Sequence, residues 1–418
     1  MRILHTGDWH LADRLGRIDR TDDLRRNVER IAEYCRTEAV DVLLVAGDLF
    51  SELASAEALR DAIRHLQAVF AGFLRDGGTI LAITGNHDKE NFCQTLRHAM
   101  SLAAPTADVP GSLLPSGRLY LATEPTLLRL EDRVSGLPVQ FLLMPYPTAA
   151  RYLVDEAAQR YQGLDEKNRH LMRAFTDQLH ALHRSEHFSP DLPAVLAAHV
   201  AVRGGELPTL FRLSEQEDVV FNDADLPTGF AYVALGHIHK PQCLAGQAHV
   251  RYSGSIERMD FGECHDDKSV VVFDLGPDGL EGEPRLLPLE SSPLYEVVIE
   301  SPHEEMPEIR RKYADAARHL VRIRLTYTAG VDNREEALRE LDALFPRWYD
   351  RDVREAGALG PTLTVGEPAP HKSFHDTVRD YLRDELTNES DAVRDAVLAR
   401  AEALLAALAG GQSTEVAR

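Results

Sequence analysis

The chain has 418 residues and a mass of 46.6 kDa, which is enough for about two or three domains. Its hydrophobic (44%) and charged (27%) fractions are those of a folded globular protein and exclude a disordered or fibrous chain. It contains 46 basic and 67 acidic residues, a net charge of −21, which argues against a surface that coats nucleic acid non-specifically, because binding a polyanion usually requires a basic surface.

Cysteine content and hydropathy bear on the cellular compartment. The four cysteines are far apart and form no CxxC pair, so they predict neither a zinc ribbon nor a disulfide scaffold and indicate a reducing cytoplasm. The N-terminal sequence MRILHTGDWH lacks the apolar segment of a signal peptide. No apolar run approaches the ~18 residues that predict a membrane span.

The first two-thirds of the chain alternates short apolar runs with longer helical patterns. Continuous apolar runs predict strands that are buried on both faces, at Arg2–His5, Val42–Ala46, Ile80–Thr84, Val139–Met144, Val195–Ala198, Tyr232–Leu235 and Ser269–Phe273. Helical periodicity predicts helices at Asp23–Thr37, Ala56–Arg75 and Asp155–His187. Together these elements predict a layered α/β fold, with an antiparallel contribution towards residue 275.

The last third of the chain predicts a smaller unit and a tail. A stretch rich in Gly, Pro and acidic residues at 276–293 predicts a boundary. Beyond it, the predicted elements are Leu294–Ile299 (strand), Glu304–Ala317 (helix), Leu320–Tyr327 (strand), Arg334–Phe345 (helix) and Thr362–Val365 (strand). We therefore divide the chain into residues 1–289, a small α+β unit at 290–366, a linker at 367–372 and a helical segment at 373–418.

The helical segment at 373–418 contains two amphipathic patterns. Apolar residues recur at helical spacing in each, namely Phe374, Val378, Tyr381, Leu382 and Leu386 in the first, and Val393, Val397, Leu404, Leu405 and Leu408 in the second. Two short helices cannot bury both apolar faces against each other alone. They either dock on the rest of the chain or bind a partner protein.

Five short polar motifs each follow a predicted strand. They are GDWH at 7–10, GDLF at 47–50, GNHD at 85–88, HV at 199–200 and GHIH at 236–239. Open α/β sheets build their sites at the carboxyl ends of strands. Residues two apart in an extended chain point the same way, so Asp8 and His10 can reach one cluster, as can His237 and His239. Glycine before the polar residue lets the backbone turn sharply.

These motifs combine carboxylate, imidazole and carboxamide groups. A single His or Asp at a strand end is usually structural, but four glycine-led motifs and a further strand-end His predict a metal site. The mixed nitrogen and oxygen ligands suit Mn²⁺, Fe or Zn²⁺.

The motif pattern over residues 1–275 resembles the calcineurin-like metallophosphoesterases. The resemblance implies a layered β-sandwich flanked by helices, with two metal ions sharing one bridging carboxylate. By position, the first ion would be held by Asp8, His10, Asp48 and His239, and the second by Asp48, Asn86, His199 and His237. His87 would be the catalytic histidine. Asp88 would either support a ligand or serve only as a turn residue of the GNHD loop.

A finer resemblance extends over essentially the whole chain. GDWHL, GDLF, GNHD and ALGHIHKPQ, with YSGSIERMDFGE at Tyr252–Glu263, resemble the SbcD nucleases, the nuclease subunits of the SbcC–SbcD complex that processes DNA ends. The resemblance implies Mn²⁺-dependent 3′→5′ exonuclease activity on duplex ends and endonuclease activity on single strands and hairpins. Residues 290–366 would be a DNA-capping domain, and the C-terminal helices at 373–409 would bind the SbcC ATPase. Some relatives have histidine where this chain has Ser51, which puts any substrate-orienting role there in doubt.

The same resemblance implies a homodimer formed through helices of the nuclease domain. An apolar stripe offers such a surface, at Leu59, Ile63, Leu66, Val69, Phe70 and Phe73. The alternative is that this stripe packs in the core of its own chain.

Cations near the motifs are candidates for DNA contact. Arg14 and Arg17 follow GDWHL, and Lys89 and Lys240 directly follow GNHD and GHIH. The alternative is scattered solvated charge, because aspartates interleave the arginines. Two other functions also fit parts of the sequence. A phosphoesterase for small molecules would explain the motifs but would give the C-terminal third no function. A scaffold protein with a vestigial metal site is disfavoured because every expected ligand position is filled.

Overall fold

A computed structural model describes residues 1–105, 110–153, 161, 163–205, 219–222, 228–244, 246–356 and 397–401. The chain divides into two compact units, Met1–Ala356 and Gly357–Arg418. In the second unit only residues 397–401 are described, and they are helical. The predicted strand at Thr362–Val365 and most of the predicted C-terminal helices lie outside the described residues.

The first unit contains two large sheets. The first sheet has six strands, in spatial order Gly279–Pro288 (β17), Ser269–Gly276 (β16), Arg2–Thr6 (β1), Val42–Ala46 (β4), Thr79–Ile83 (β5) and Leu119–Ala122 (β7). Strands β1, β4, β5 and β7 are parallel, whereas β16 is antiparallel to β1 and to β17. The antiparallel contribution predicted near residue 275 is therefore confirmed.

The second sheet has seven strands. Their spatial order is Gln242–Leu244 (β14), Gln247–Tyr252 (β15), Tyr232–Gly236 (β13), Ala194–His199 (β10), Pro138–Met144 (β9), Thr126–Glu131 (β8) and Ser112–Leu113 (β6). The described residues also contain two short pairs of strands, Arg14–Leu15 (β2) with Ile18–Asp19 (β3), and Ala201–Val202 (β11) with Val220–Phe221 (β12).

The two sheets pack face to face between layers of helices. In β4, Val42 and Leu44 point into the core between the sheets, while Leu43 and Val45 point into the core beneath the helices. A strand covered on both faces needs apolar residues at every position, which explains the continuous run VLLVA. The predicted layered α/β sandwich is confirmed.

Among the described residues, five helices flank the sheets. They are Thr21–Thr37 (α1), Ala56–Arg75 (α2), Glu90–Ala103 (α3), Ala149–Tyr152 (α4) and Leu164–His183 (α5). The helix predicted at Asp155–His187 therefore begins at Leu164 and ends at His183, and residues 154–160 and 162 of that range are not described. On α2, Leu59 and Phe70 are buried, and the rest of the apolar stripe packs partly buried against the same core. The dimer stays a prediction.

A smaller sheet with two helices lies at the end of the first unit. Three parallel strands, Leu294–Ile299 (β18), Leu320–Tyr327 (β19) and Trp348–Glu355 (β20), pack against helices Pro302–Lys312 (α6) and Arg334–Leu344 (α7) around their own hydrophobic core. Asp23 on α1 forms an ion pair with Arg347, and Arg17 lies 4.4 Å over the Trp348 ring. That residues 1–289 form a nuclease domain and residues 290–366 a separate DNA-capping domain stays a prediction.

Two edge strands differ from the predicted pattern. Gly279–Pro288 lies in the stretch that predicted a boundary, and Trp348–Glu355 lies where no strand was predicted. Each is the last strand of its sheet, so it pairs on one side only and exposes charged residues. Among the described residues, no helix has the length and apolar character needed to cross a membrane.

Candidate metal centre

The five motifs meet at one edge of the sandwich. Strands β1, β4 and β5 of the first sheet end at GDWH, GDLF and GNHD, and strands β10 and β13 of the second end at His199 and GHIH. The two sheets thus bring together side chains that are up to 231 positions apart in the sequence, from Asp8 to His239.

Backbone hydrogen bonds fix the GDWH loop to the GDLF loop. The Asp8 N–H donates to the Gly47 carbonyl (3.0 Å), and the Trp9 and His10 N–H groups donate to the Asp48 carbonyl (2.8 and 2.9 Å). Trp9 anchors its loop because its indole stacks on Phe70 in the core. Asp8, His10 and Asp48 all have positive φ, at 50°, 45° and 51°. Such strained backbone is typical of functional sites, where the surrounding structure enforces it.

Glycine at two motif positions permits close approach of the loops. A Cβ on Gly85 would lie 2.1 Å from Asp48 Oδ1 and 2.5 Å from the Asp48 nitrogen. A Cβ on Gly47, whose φ is +97°, would lie 2.2 Å from His199 Nδ1. The glycines are therefore needed for contact between loops, as well as for the turns that the sequence predicted.

Asp8, His10 and His239 form the first group of candidate ligands. One ligand atom from each lies within 4.8 Å of the others. His10 Nε2 and His239 Nε2 are 3.2 Å apart. Both carboxylate oxygens of Asp8 accept the His237 backbone N–H, at 3.0 and 3.2 Å. Burial lowers the pKa of His10 to about 3, so its ring is neutral, the form that binds a metal ion.

Asp48, Asn86, His199 and His237 form the second group. His199 Nε2 lies 3.2 Å from Asp48 Oδ2 and 3.0 Å from Asn86 Oδ1, and His237 Nδ1 lies 3.0 Å from the same Asn86 oxygen. His199 Nδ1 is 2.7 Å from the Ala46 carbonyl, to which it must donate. In a neutral His199, the lone pair of Nε2 then faces Asp48 Oδ2 and Asn86 Oδ1, which are acceptors as well. A bound cation would stabilise these three electron-rich atoms.

Asp48 lies between the two groups. It belongs to a cluster with His10 and His87 and to another with Asp8 and His199. Its Oδ2 is 3.7 Å from His10 Nε2. This placement agrees with the predicted role of Asp48 as the shared carboxylate, which stays a prediction.

Burial and charge both fit cation binding. Asp8 and Asp48 are 0% and 1% exposed, and burial raises the pKa of Asp8. Two buried carboxylates are costly unless positive charge compensates them. Burial lowers the pKa of His199, but Asp48 and Asp8 together raise it to about 9, so this position attracts positive charge. Asn86 is exposed and His87 is partly exposed, so the centre is open on one side.

His87 and Asp88 have different surroundings. The His87 ring packs edge-on against His10 at 4.9 Å, and its Nδ1 lies 3.9 Å from Glu52 Oε1. Asp88 is buried and accepts backbone N–H groups from Gly85, Leu49 and Phe50, at 2.8, 3.2 and 2.9 Å. Burial, with the nearby charge of Asp48, raises the pKa of Asp88 to about 7. Asp88 thus ties the GNHD loop to the GDLF loop, and its support of the ligands stays a prediction.

Sequence reasoning missed three residues behind the ligands. Glu263 Oε1 lies 2.7 Å from His239 Nδ1, and the Lys268 ammonium donates to Glu263 Oε2 at 2.6 Å. The Tyr146 ring lies 6.0 and 5.8 Å from the rings of His199 and His237. Tyr146 follows a strand end as the ligands do, and Glu263 is the last residue of the YSGSIERMDFGE motif, but Lys268 has no comparable signal in the sequence.

The candidate DNA contacts lie in different places. Arg14 and Arg17 are exposed, and each donates to a backbone carbonyl: Arg14 to that of Arg17 (2.7 Å), and Arg17 to that of Trp348 (3.2 Å). Lys89 donates to the Ala54 carbonyl at 2.7 Å. Lys240 is half-buried directly after His239. Their contact with DNA stays a prediction.

Ser51 is buried beside the centre. Its hydroxyl donates to Asp13 Oδ1 at 2.8 Å, and it accepts the Leu53 N–H at 3.3 Å. The serine therefore stabilises the turn after GDLF.

Comparison with known proteins agrees with this geometry. Residues 1–241 match the family model described as calcineurin-like phosphoesterase. The chain is similar to the SbcD component of the SbcCD nuclease of Rhodobacter capsulatus, with 31% identity over 302 residues that cover 69% of each chain. It is also similar to the proteins of that name from Bacillus subtilis (28%, covering 66% of this chain and 67% of that one) and Escherichia coli K12 (27%, covering 66% of each).

Proposed function

Because the chain belongs to the calcineurin-like phosphoesterases and, within them, to the SbcD nuclease family, we propose that it is a two-metal DNA nuclease that uses Mn²⁺. It would degrade duplex ends from 3′ to 5′ and cut single strands and hairpins, acting in the cytoplasm in the repair of DNA breaks. The observation that supports this most directly is the convergence of Asp8, Asp48, His10, His199 and His239 in overlapping groups of candidate ligands at one edge of the sandwich.

Each residue of the centre would have a distinct role in the reaction. When bound, the metal pair supplies positive charge that polarises the phosphoryl group and acidifies a water nucleophile. Asp8, His10 and His239 would hold one ion, Asn86, His199 and His237 the other, and Asp48 both. His87 lies beside this cluster and is partly exposed, so its imidazole would donate a proton to the leaving oxygen.

The net charge of −21 limits how this nuclease holds DNA. Part of the negative charge belongs to Asp8 and Asp48, whose task is to bind cations that reverse the local sign. The remaining acidity implies weak non-specific affinity for DNA, because few phosphates can be neutralised. DNA would therefore be held locally by the metals and by Arg14, Arg17, Lys89 and Lys240, and more extensively by a partner.

Mn²⁺-dependent release of nucleotides from end-labelled duplex DNA tests the proposed activity. We expect product from the 3′ end, cleavage of a hairpin, and complete inhibition by EDTA. A His87→Gln variant should be slower by about 10²-fold, because general acid catalysis contributes at least that much, while it still binds two ions. Activity on a generic phosphomonoester alone would support the small-molecule alternative. Bound metal without hydrolysis of either substrate would support a scaffold.

The proposed partner is an SbcC-type ATPase bound by residues 373–409. Deletion of residues 371–418 should abolish co-purification with such an ATPase and leave Mn²⁺ binding unchanged, because the candidate ligands all lie in Met1–Ala356. Size-exclusion chromatography of the mixed proteins and metal analysis of the truncated chain measure the two effects. Retained association would rule out this docking segment.

A further inference from the structure

A buried carboxylate–ammonium pair lies directly behind one metal ligand. Glu263 and Lys268 are 1% and 2% exposed. Glu263 Oε1 lies 2.7 Å from His239 Nδ1, while Oε2 accepts from Lys268 Nζ at 2.6 Å and from the Met259 N–H at 3.1 Å. Lys268 Nζ also donates to the His239 carbonyl at 2.9 Å. The three residues thus form a closed ring of hydrogen bonds.

This ring determines the chemical form of His239. With a carboxylate at 2.7 Å, Nδ1 must be protonated and donate, so that Nε2 presents its lone pair towards Asp8 and His10. A carboxylate partner also increases the basicity of an imidazole ligand and fixes the orientation of its ring. Lys268 compensates the charge of Glu263, which would otherwise be costly to bury.

His199, a candidate ligand in the second group, has a weaker partner behind its ring. His199 Nδ1 donates to the neutral Ala46 carbonyl at 2.7 Å. Among the hydrogen bonds of the described residues, the carboxylate partner therefore occurs behind His239 and a carbonyl partner behind His199. His239 and His199 thus differ in the group that holds the ring from behind, although each lies among imidazole and carboxylate ligands.

We propose that Glu263, held by Lys268, is a positioning residue that makes the Asp8–His10–His239 position the tighter of the two metal positions. This inference rests on the two-metal centre of the proposed function. It gives an order of metal binding: the ion at the His239 end binds first and is retained when the ion at the His199 end dissociates.

Calorimetric titration of the full chain with Mn²⁺ tests the order of binding. We expect two binding steps in the wild type, and a Glu263→Gln variant in which the tighter step alone weakens by about 10–100-fold, as expected for loss of such an outer partner. Electron paramagnetic resonance during the titration distinguishes single from paired Mn²⁺. In the variant the two steps lie closer together, so the single-ion species should reach a lower maximum than in the wild type. Glu283→Gln, on the exposed edge strand β17, is the matched control and should leave both steps unchanged.

A second variant tests whether the effect of Glu263→Gln is caused by misfolding. Glu263→Asp keeps the charge opposite Lys268 but is too short to keep the 2.7 Å contact with His239, so the same selective weakening is expected. Equal weakening of both steps, or no change in either, would overturn the inference while leaving the nuclease proposal intact. Absence of any Mn²⁺ binding by the wild type would overturn both.

Discussion

An Asp48→Asn variant is expected to lose both metal ions and to cleave DNA at least about 10⁴-fold more slowly. Stabilisation of transition-state charge by bound metals is worth several kcal/mol, and each 1.36 kcal/mol corresponds to about tenfold in rate. Asp48 lies in ligand clusters on both sides of the centre, with Oδ2 3.2 Å from His199 Nε2 and 3.7 Å from His10 Nε2. Loss of its charge therefore weakens both positions together.

The substitution should preserve the fold. Asp48 has a φ of 51°, a left-handed conformation that asparagine tolerates as well as aspartate does. The carboxamide oxygen of the variant can still accept the His87 N–H, which donates to Asp48 Oδ1 at 2.8 Å. The amide NH₂ would then take the place of Oδ2 and turn an acceptor into a donor towards His10 and His199. The defect should accordingly be confined to metal binding.

Metal content after dialysis and thermal unfolding with and without Mn²⁺ measure this effect. Binding at a free ion concentration of 100 times Kd stabilises a protein by about 2.7 kcal/mol, so Mn²⁺ should raise the Tm of the wild type and not that of the variant. Asp278→Asn, in the exposed turn between β16 and β17, is the control and should behave as wild type. A variant that retains two ions would exclude Asp48 as the shared ligand.

The central strands could be predicted because their surroundings are uniform. Val42–Ala46 is covered by a core on each face, so its apolar run begins and ends where the strand does. The edge strand Gly279–Pro288 pairs on one side only and contains Gly282 and Pro284, so neither alternation nor a continuous apolar run marks it. The sequence pattern therefore identifies strands by burial, and it fails where an edge strand is largely exposed.

The candidate site also has one part that could be predicted from the sequence and another that could not. Each motif lies at the end of its strand, so the convergence of Asp8 and Asp48 follows from the parallel register of β1 and β4, while His199 is brought to them by the packing of the second sheet on the first. The contact of Glu263 with His239 joins residues 24 positions apart, across strands β14 and β15 and the loop that follows them, and no periodicity in the sequence predicts it. The positive φ of Asp8 and Asp48 is imposed by the packing of two loops, which a single sequence does not specify.

A Gly85→Ala variant is expected to lose about 10³-fold in cleavage rate and to unfold at a lower temperature. The added Cβ would lie 2.1 Å from Asp48 Oδ1 and 2.5 Å from the Asp48 backbone nitrogen, so one of the two loops must move by about 1 Å. Misplacement by 1 Å can cost about 10²-fold in rate, and disturbed metal ligation adds a further loss. Overpacking of a buried site costs about 1–3 kcal/mol of stability.

Gly72→Ala provides the matched substitution. Gly72 lies within helix α2, and a Cβ there would meet no atom within 4 Å, so this variant should cleave DNA normally and be more stable by about 0.5–1 kcal/mol. Denaturant unfolding and DNA cleavage are measured on both variants. A loss in Gly85→Ala alone reports the contact between the GDLF and GNHD loops, whereas a loss in both variants reports a general effect of replacing glycine. Because the Gly85 Cβ meets Asp48 directly, the loss of rate should be accompanied by weaker Mn²⁺ binding. Normal cleavage by Gly85→Ala would show that the two loops can separate without disturbing the centre, and would contradict the rigid placement of Asp48 between the two metal positions.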